Sequence, residues 1–143
     1  MTRTASASHW LPPLGPPLRV SEPYRPPPSP YGAGHRGIDL PAEAGQKVRS
    51  PAAGTVSFVG KVVDREVISV RVDARTVYSL EPVDQDEAGG LSTGDAVGRG
   101  DALGTVGEGG HCDGGCVHLG VRVDDTYVNP MRYFLGKPVL LPW

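Results

Sequence analysis

Proline and glycine narrow the fold class before any other residue does. Most of the prolines fall in residues 1–34, where Pro12-Pro13, Pro16-Pro17 and Pro26-Pro27-Pro28 rule out both a helix and a central strand, because proline lacks the amide donor and fixes φ. That segment is expected to be an extended arm. Trp10, Leu11, Leu14, Leu18 and Val20 give it enough apolar surface to pack along a domain. Glycines punctuate the rest of the chain at short intervals, which suits short strands joined by tight turns and leaves little room for helix. Although Gly 20 and Pro 15 make up about a quarter of the 143 residues, hydrophobic residues at 38% supply a core. The length fits one domain, the common range being roughly 100–150 residues.

From Lys47 onward the pattern is that of β-strands. In Gly54-Thr-Val-Ser-Phe-Val-Gly60, Val56 and Phe58 alternate against Thr55, Ser57 and Val59. In Val67-Ile-Ser-Val-Arg-Val72, residues Ile68, Val70 and Val72 share a face, and Arg75-Thr-Val-Tyr-Ser-Leu80 follows closely enough to form a hairpin through Asp73-Ala74. Residues 81–95 read as loop, and Val97, Leu103 and Val106 sit among turn glycines. Cys116-Val-His-Leu-Gly-Val-Arg-Val123 is the strongest strand, with Val117, Leu119, Val121 and Val123 on one face and His118, Gly120 and Arg122 on the other. One short helical turn is expected after Pro130, within Asn129–Leu135. The segment Ser29-Pro-Tyr-Gly-Ala-Gly34 is read as a flexible lead into His35.

Charge and hydropathy exclude some partners. Net charge is −2 with scattered basic residues, so nucleic acid is not an expected partner. No apolar run approaches the roughly 20 residues of a membrane span. The start, Met1-Thr-Arg-Thr-Ala-Ser-Ala-Ser, has no apolar h-region, so no secretory signal is read in it. The two cysteines, Cys112 and Cys116, lie close together, and no other cysteine could join them in a zinc knuckle or a larger disulfide framework. A local disulfide in an oxidising compartment is the favoured reading, and two free thiols in a cytoplasmic protein are the alternative.

Four histidines occur, and His9 lies in the arm. His35 and Asp39 are four apart around a central glycine, in a turn entering a strand, so their side chains can converge. His118 stands on the polar face of its strand. Zinc accepts such nitrogen and oxygen donors at about 2.0–2.2 Å and in catalytic sites leaves a fourth position to water. By spacing alone a solvated His-Asp turn and an unrelated strand histidine are the commoner arrangement, at roughly three to one.

The motifs go further than the spacing. His35-Arg-Gly-Ile-Asp39, Gly45-Gln-Lys-Val48, Ala52-Ala-Gly-Thr-Val56, the double turn Gly94-Asp-Ala-Val-Gly-Arg-Gly-Asp-Ala-Leu-Gly-Thr-Val-Gly107 and His118-Leu-Gly-Val-Arg-Val-Asp-Asp-Thr-Tyr-Val-Asn-Pro130 occur in one order. Together they resemble the lysostaphin-type, or LytM-like, peptidoglycan metalloendopeptidases over about residues 31–135. The resemblance implies an all-β, compact antiparallel β-sheet domain of the duplicated hybrid motif type over 31–136, with a Pro-rich arm at 1–30 and a tail at 137–143. It implies one zinc ion held by His35, Asp39 and His118, with peptidoglycan peptides as substrate, an extracytoplasmic location and a monomeric chain. His118 takes the place of the second histidine of the family's H-x-H, a register that also aligns Gly107, Val121 and Arg122 without a gap. The alternative register would put Gly120 at the ligand position.

Two departures follow from that register. Cys116 stands where the family has the first, assisting histidine of H-x-H, and Leu80 then Glu81 follow Thr76-Val-Tyr-Ser79 where a second assisting histidine belongs. His111 and Glu81 are the candidates to supply the missing catalytic groups, as proton donor and general base. The runner-up function is a catalytically silent relative that binds peptidoglycan or another cell-wall hydrolase. A biotinyl- or lipoyl-type carrier is disfavoured, since the sequence lacks an exposed lysine in a hairpin turn.

Overall fold

The computed structural model describes residues 9–27, 34–134 and 139–140. The glycine lead over residues 28–33 and most of the tail therefore lie outside the described residues. The strands are β1 (Arg19–Val20), β2 (Ile38–Pro41), β3 (Lys47–Arg49), β4 (Gly54–Val62), β5 (Arg65–Arg71) and β6 (Thr76–Glu81). They continue as β7 (Val83–Asp84), β8 (Ala96–Val97), β9 (Ala102–Val106), β10 (Cys116–Val123), β11 (Thr126–Val128) and β12 (Val139–Leu140). A 3-10 turn, Pro130–Tyr133, is capped by the Asn129 side chain, which accepts from the Met131 amide. The expectation of an antiparallel all-β domain is met.

The main sheet runs β11-β10-β6-β5-β4-β8, and β2 pairs with β10 on the edge that β11 also uses. β2 covers Cys116 to Leu119 and β11 covers Val121 to Val123, so β10 is paired along both edges. Its central place follows from its sequence, since Val117, Leu119 and Val121 are fully buried on one face. Ile38, Leu40, Ile68, Val70, Tyr78 and Leu80 fill the same core. A smaller sheet, β3-β9-β7, closes it with Val48, Leu103, Val106 and Val83.

The β5–β6 hairpin forms at Asp73 as expected. The Asp73 Oδ1 atom accepts from the amides of Arg75 and Thr76 at 2.9 Å, an Asx-type turn. Strand β4 departs from the simple alternation. Val56 pairs with Val70 and Phe58 with Ser69, so Ser57 is an extra residue in a β-bulge. The bulge turns Val56 into the core and Phe58 to the opposite face, where it is 42% exposed. Residues 81–95 also hold more structure than expected, because β7 pairs there with β9.

The arm belongs to the core. Trp10 is buried, stacked on Tyr133 and edge-on to Tyr78, and Leu18 and Val20 are buried beside it. Farther along, the Ser21 amide donates to the Asp39 carbonyl, the Asp39 amide donates to the Glu22 carbonyl, and Arg25 and His35 exchange a pair of backbone hydrogen bonds, all at 2.7–3.0 Å. Residues 21–25 therefore run as an extra antiparallel edge beside residues 35–39.

Candidate metal centre

The face of the main sheet opposite the core carries three side chains in one cross-strand row. Asp39 on β2, His118 on β10 and Glu81 on β6 are directly opposed residues. Opposed residues of antiparallel strands project to the same side with Cα atoms about 4.5–5.5 Å apart. His35 joins from the turn just before β2, four residues from Asp39.

Asp39 is the hub. It is 4% exposed, and its Oδ1 lies 3.1 Å from His35 Nε2 and 2.8 Å from His118 Nδ1. His111 Nε2 lies 3.1 Å from each carboxylate oxygen. The four ligand atoms of these residues all lie within 4.8 Å of one another. Burial pushes the Asp39 carboxyl up, but hydrogen bonds from His118 and His111, with attraction to His118 and His35, outweigh it and hold the carboxyl below its ordinary value. The carboxylate is therefore ionised and available as a ligand at neutral pH.

The donor set fits zinc. His35 Nδ1 lies 2.8 Å from the Pro23 carbonyl, which can only accept, so that nitrogen carries a proton and the lone pair of the neutral ring is the one on Nε2, toward Asp39. A carbonyl on the outer nitrogen is the usual orienting partner of a metal-bound histidine. A neutral imidazole lone pair facing a carboxylate is repulsive unless a cation or a proton lies between them. Gly37 makes the convergence possible. A Cβ there would meet the Leu119 carbonyl oxygen at 2.3 Å and His118 Nε2 at 2.6 Å.

His111 enters from the loop before β10. Gly109 and Gly110 adopt φ of 97° and 64°, and a disulfide ties Cys112 to Cys116 at a Cα separation of 4.7 Å. Cys116 begins β10, two residues before His118, so the bridge fixes the loop that carries His111 beside the ligand strand. The His111 side chain is 55% exposed, against 14% for His35 and 17% for His118, which puts it at the mouth of the cluster.

The two departures in sequence have distinct structural causes. The sulfur of Cys116 is committed to the bridge, and Leu80 is fully buried in the core beside Tyr78. The residue of β6 that faces the site is Glu81, and its Oε1 accepts from Arg65 Nε at 3.0 Å. A general base needs a carboxylate oxygen free to take a proton from water, and Oε1 of Glu81 is instead engaged by the Arg65 guanidinium. Sequence reading found the central glycine of the His35–Asp39 turn, Gly37, and missed Arg65 and the Pro23 carbonyl as site groups. Arg65 and Pro23 come near the site only through the β5–β6 register and the arm pairing, which residue types alone do not reveal.

The model of Peptidase family M23 matches residues 33–130. The uncharacterized protein Rv3786c of Mycobacterium tuberculosis is 35% identical over 113 residues, which are 78% of this chain and 27% of that protein. The chain thus spans about a quarter of that relative's length. Among solved structures, a mutant catalytic domain of the prophage-encoded M23 protein EnpA from Enterococcus faecalis superposes with a TM-score of 0.70 at 26% identity, covering 87% of this chain and 97% of that one. Lysostaphin shares the fold, with a TM-score of 0.71 at 20% identity over 97% of this chain and 61% of that one.

Proposed function

The chain belongs to peptidase family M23, and from that membership we propose that it is a zinc-dependent endopeptidase acting on the peptide cross-links of bacterial peptidoglycan outside the cytoplasm. The observation that carries the proposal is the convergence of His35, Asp39 and His118, with the Pro23 carbonyl on the outer nitrogen of His35. These three are the proposed ligands. Bound zinc supplies a Lewis acid for the scissile carbonyl and a water acidified to a pKa of about 7.

The remaining work falls to the chain. His111, exposed at the mouth, is the proposed carrier of a proton from the attacking water to the leaving amine nitrogen. The Cys112–Cys116 bridge holds it there and suits an oxidising location. The ordered arm orients His35 through Pro23 and supports Asp39 through the Glu22 carbonyl.

His111→Ala is expected to keep zinc and to lower the hydrolysis rate by about a hundredfold to ten-thousandfold, the range of one general acid-base group. The measurement is amine release from purified peptidoglycan sacculi, with mass spectrometry of the released peptides. Wild type should release new amino termini in a chelator-sensitive manner. A second reading is a non-hydrolytic relative that binds peptidoglycan or another cell-wall hydrolase, and the lack of imidazole at Cys116 and Leu80 favours it. Sacculus binding with no amine release would select it.

A further inference from the structure

The peptidase reading, on which this inference rests, leaves one catalytic task without a residue. Water attack moves the carbonyl electron pair onto oxygen, and no imidazole stands at Cys116 or Leu80 to meet that charge. Beside the metal row, however, lies a guanidinium whose placement is over-determined. Arg65 opens β5 and donates from Nε to Glu81 Oε1 at 3.0 Å, and Glu81 is the direct cross-strand neighbour of His118. The hairpin tip that precedes Arg65 is docked on the His111 loop. The Gly110 amide donates to Asp64 Oδ2 at 3.2 Å, and a Cβ at Gly109 would meet the Asp64 carbonyl oxygen at 1.9 Å. The Arg65 stem passes along Gly110, with Cγ and Cδ 3.5 Å from where a Cβ of Gly110 would be. Arg65 is therefore fixed between Glu81 and the residue preceding His111, yet its side chain remains 28% exposed toward solvent. Its only other side-chain hydrogen bond among the described residues is a long one, Nη1 to Asp64 Oδ1 at 3.4 Å, which leaves donors of the fork for a ligand.

We propose that Arg65 is a catalytic residue whose guanidinium stabilises the oxyanion formed on the scissile carbonyl, and that Glu81 is its positioning residue. Water forms the new C–O bond as the carbonyl electron pair moves to oxygen beside the guanidinium. When that pair re-forms C=O, the C–N bond breaks and the amine departs with the proton carried by His111. Arginine suits the task because it stays charged throughout, whereas a histidine must first be protonated. The guanidinium also carries several donors, while its partner Glu81 occupies only one of them.

The test uses the zinc-loaded chain and three variants. Arg65→Ala should retain its zinc and lose about a hundredfold to a thousandfold in kcat with little change in KM, the loss typical of one oxyanion donor. Free guanidinium ion should restore part of that rate. A phosphinate peptide, which mimics the tetrahedral anion, should bind Arg65→Ala about a hundredfold more weakly than wild type. Binding of the uncleaved peptide to metal-free protein should be the same for both. Arg65→Lys should fall between wild type and Arg65→Ala. Glu81→Gln still offers Arg65 an acceptor oxygen, so it should stay within about tenfold of wild type, where loss of a general base would cost up to about ten-thousandfold. Arg65→Ala at wild-type kcat, or unchanged phosphinate affinity, would overturn this role and leave the peptidase reading standing. A wild-type chain that cleaves no peptide would overturn both.

Discussion

Asp39→Ala should abolish the thermal stabilisation that zinc gives the wild-type chain. At a hundredfold excess over its Kd, a ligand that binds only the folded state adds about 2.7 kcal/mol. At this length that corresponds to a rise in Tm of roughly 8 °C. Asp39 touches His35, His111 and His118 at once, at 2.8–3.1 Å, so its removal takes a ligand and the group that gathers the others. The fold should survive. Asp39 holds its place through backbone bonds with Ser21 and Glu22 and through the β2–β10 ladder, all of which alanine keeps. A scan with and without zinc checks the expectation, and hydrolysis should fall by at least roughly a thousandfold with loss of the Lewis acid. An equal zinc-induced shift in wild type and variant would show that the ion binds elsewhere.

Gly37→Ala should damage both stability and the site. Its Cβ would lie 2.3 Å from the Leu119 carbonyl oxygen, 2.6 Å from His118 Nε2 and 2.8 Å from His118 Cε1. The carbonyl belongs to the central strand and cannot yield without breaking its ladder, so the imidazole and the β2 entry must shift. Overpacking of this kind costs about 1–3 kcal/mol and more against rigid backbone. Displacing a ligand ring is expected to cost about tenfold to a hundredfold in zinc affinity, as loss of an orienting group does. Gly45→Ala is the matched control. It sits at φ 86° with nothing within 4 Å of its Cβ, so it carries only the backbone cost of about 1–2 kcal/mol and no change in metal affinity. Urea midpoints and a competitive zinc titration separate the two effects.

The sequence revealed much of this architecture because several of its signals have local causes. Strand β10 was legible from strict alternation, the β5–β6 turn from Asp73, and the 3-10 turn from Asn129-Pro130. The arm was legible as extended from its prolines and as packed from Trp10 and Leu18. The bulge at Ser57 was not legible, because an extra residue in one strand is defined only against its partner, and it reverses the face of Phe58. The pairing of Arg65 with Glu81 and of Pro23 with His35 escaped for the same reason. Both depend on the register between neighbouring segments, which residue types do not specify. His35, Asp39 and His118 came from motif order, and their convergence is carried by two strand pairings that periodicity does not specify.

Zinc stoichiometry tests the central claim most directly. Protein purified without chelators and analysed by mass spectrometry for bound metal should carry about one zinc per chain, as three protein ligands with one open position require. His118→Ala should carry none, and His111→Ala should keep it. A wild-type chain that arrives without zinc and takes up none on titration would contradict the account, because the convergence of His35 and His118 on Asp39 would then be a hydrogen-bonded cluster and not a metal centre.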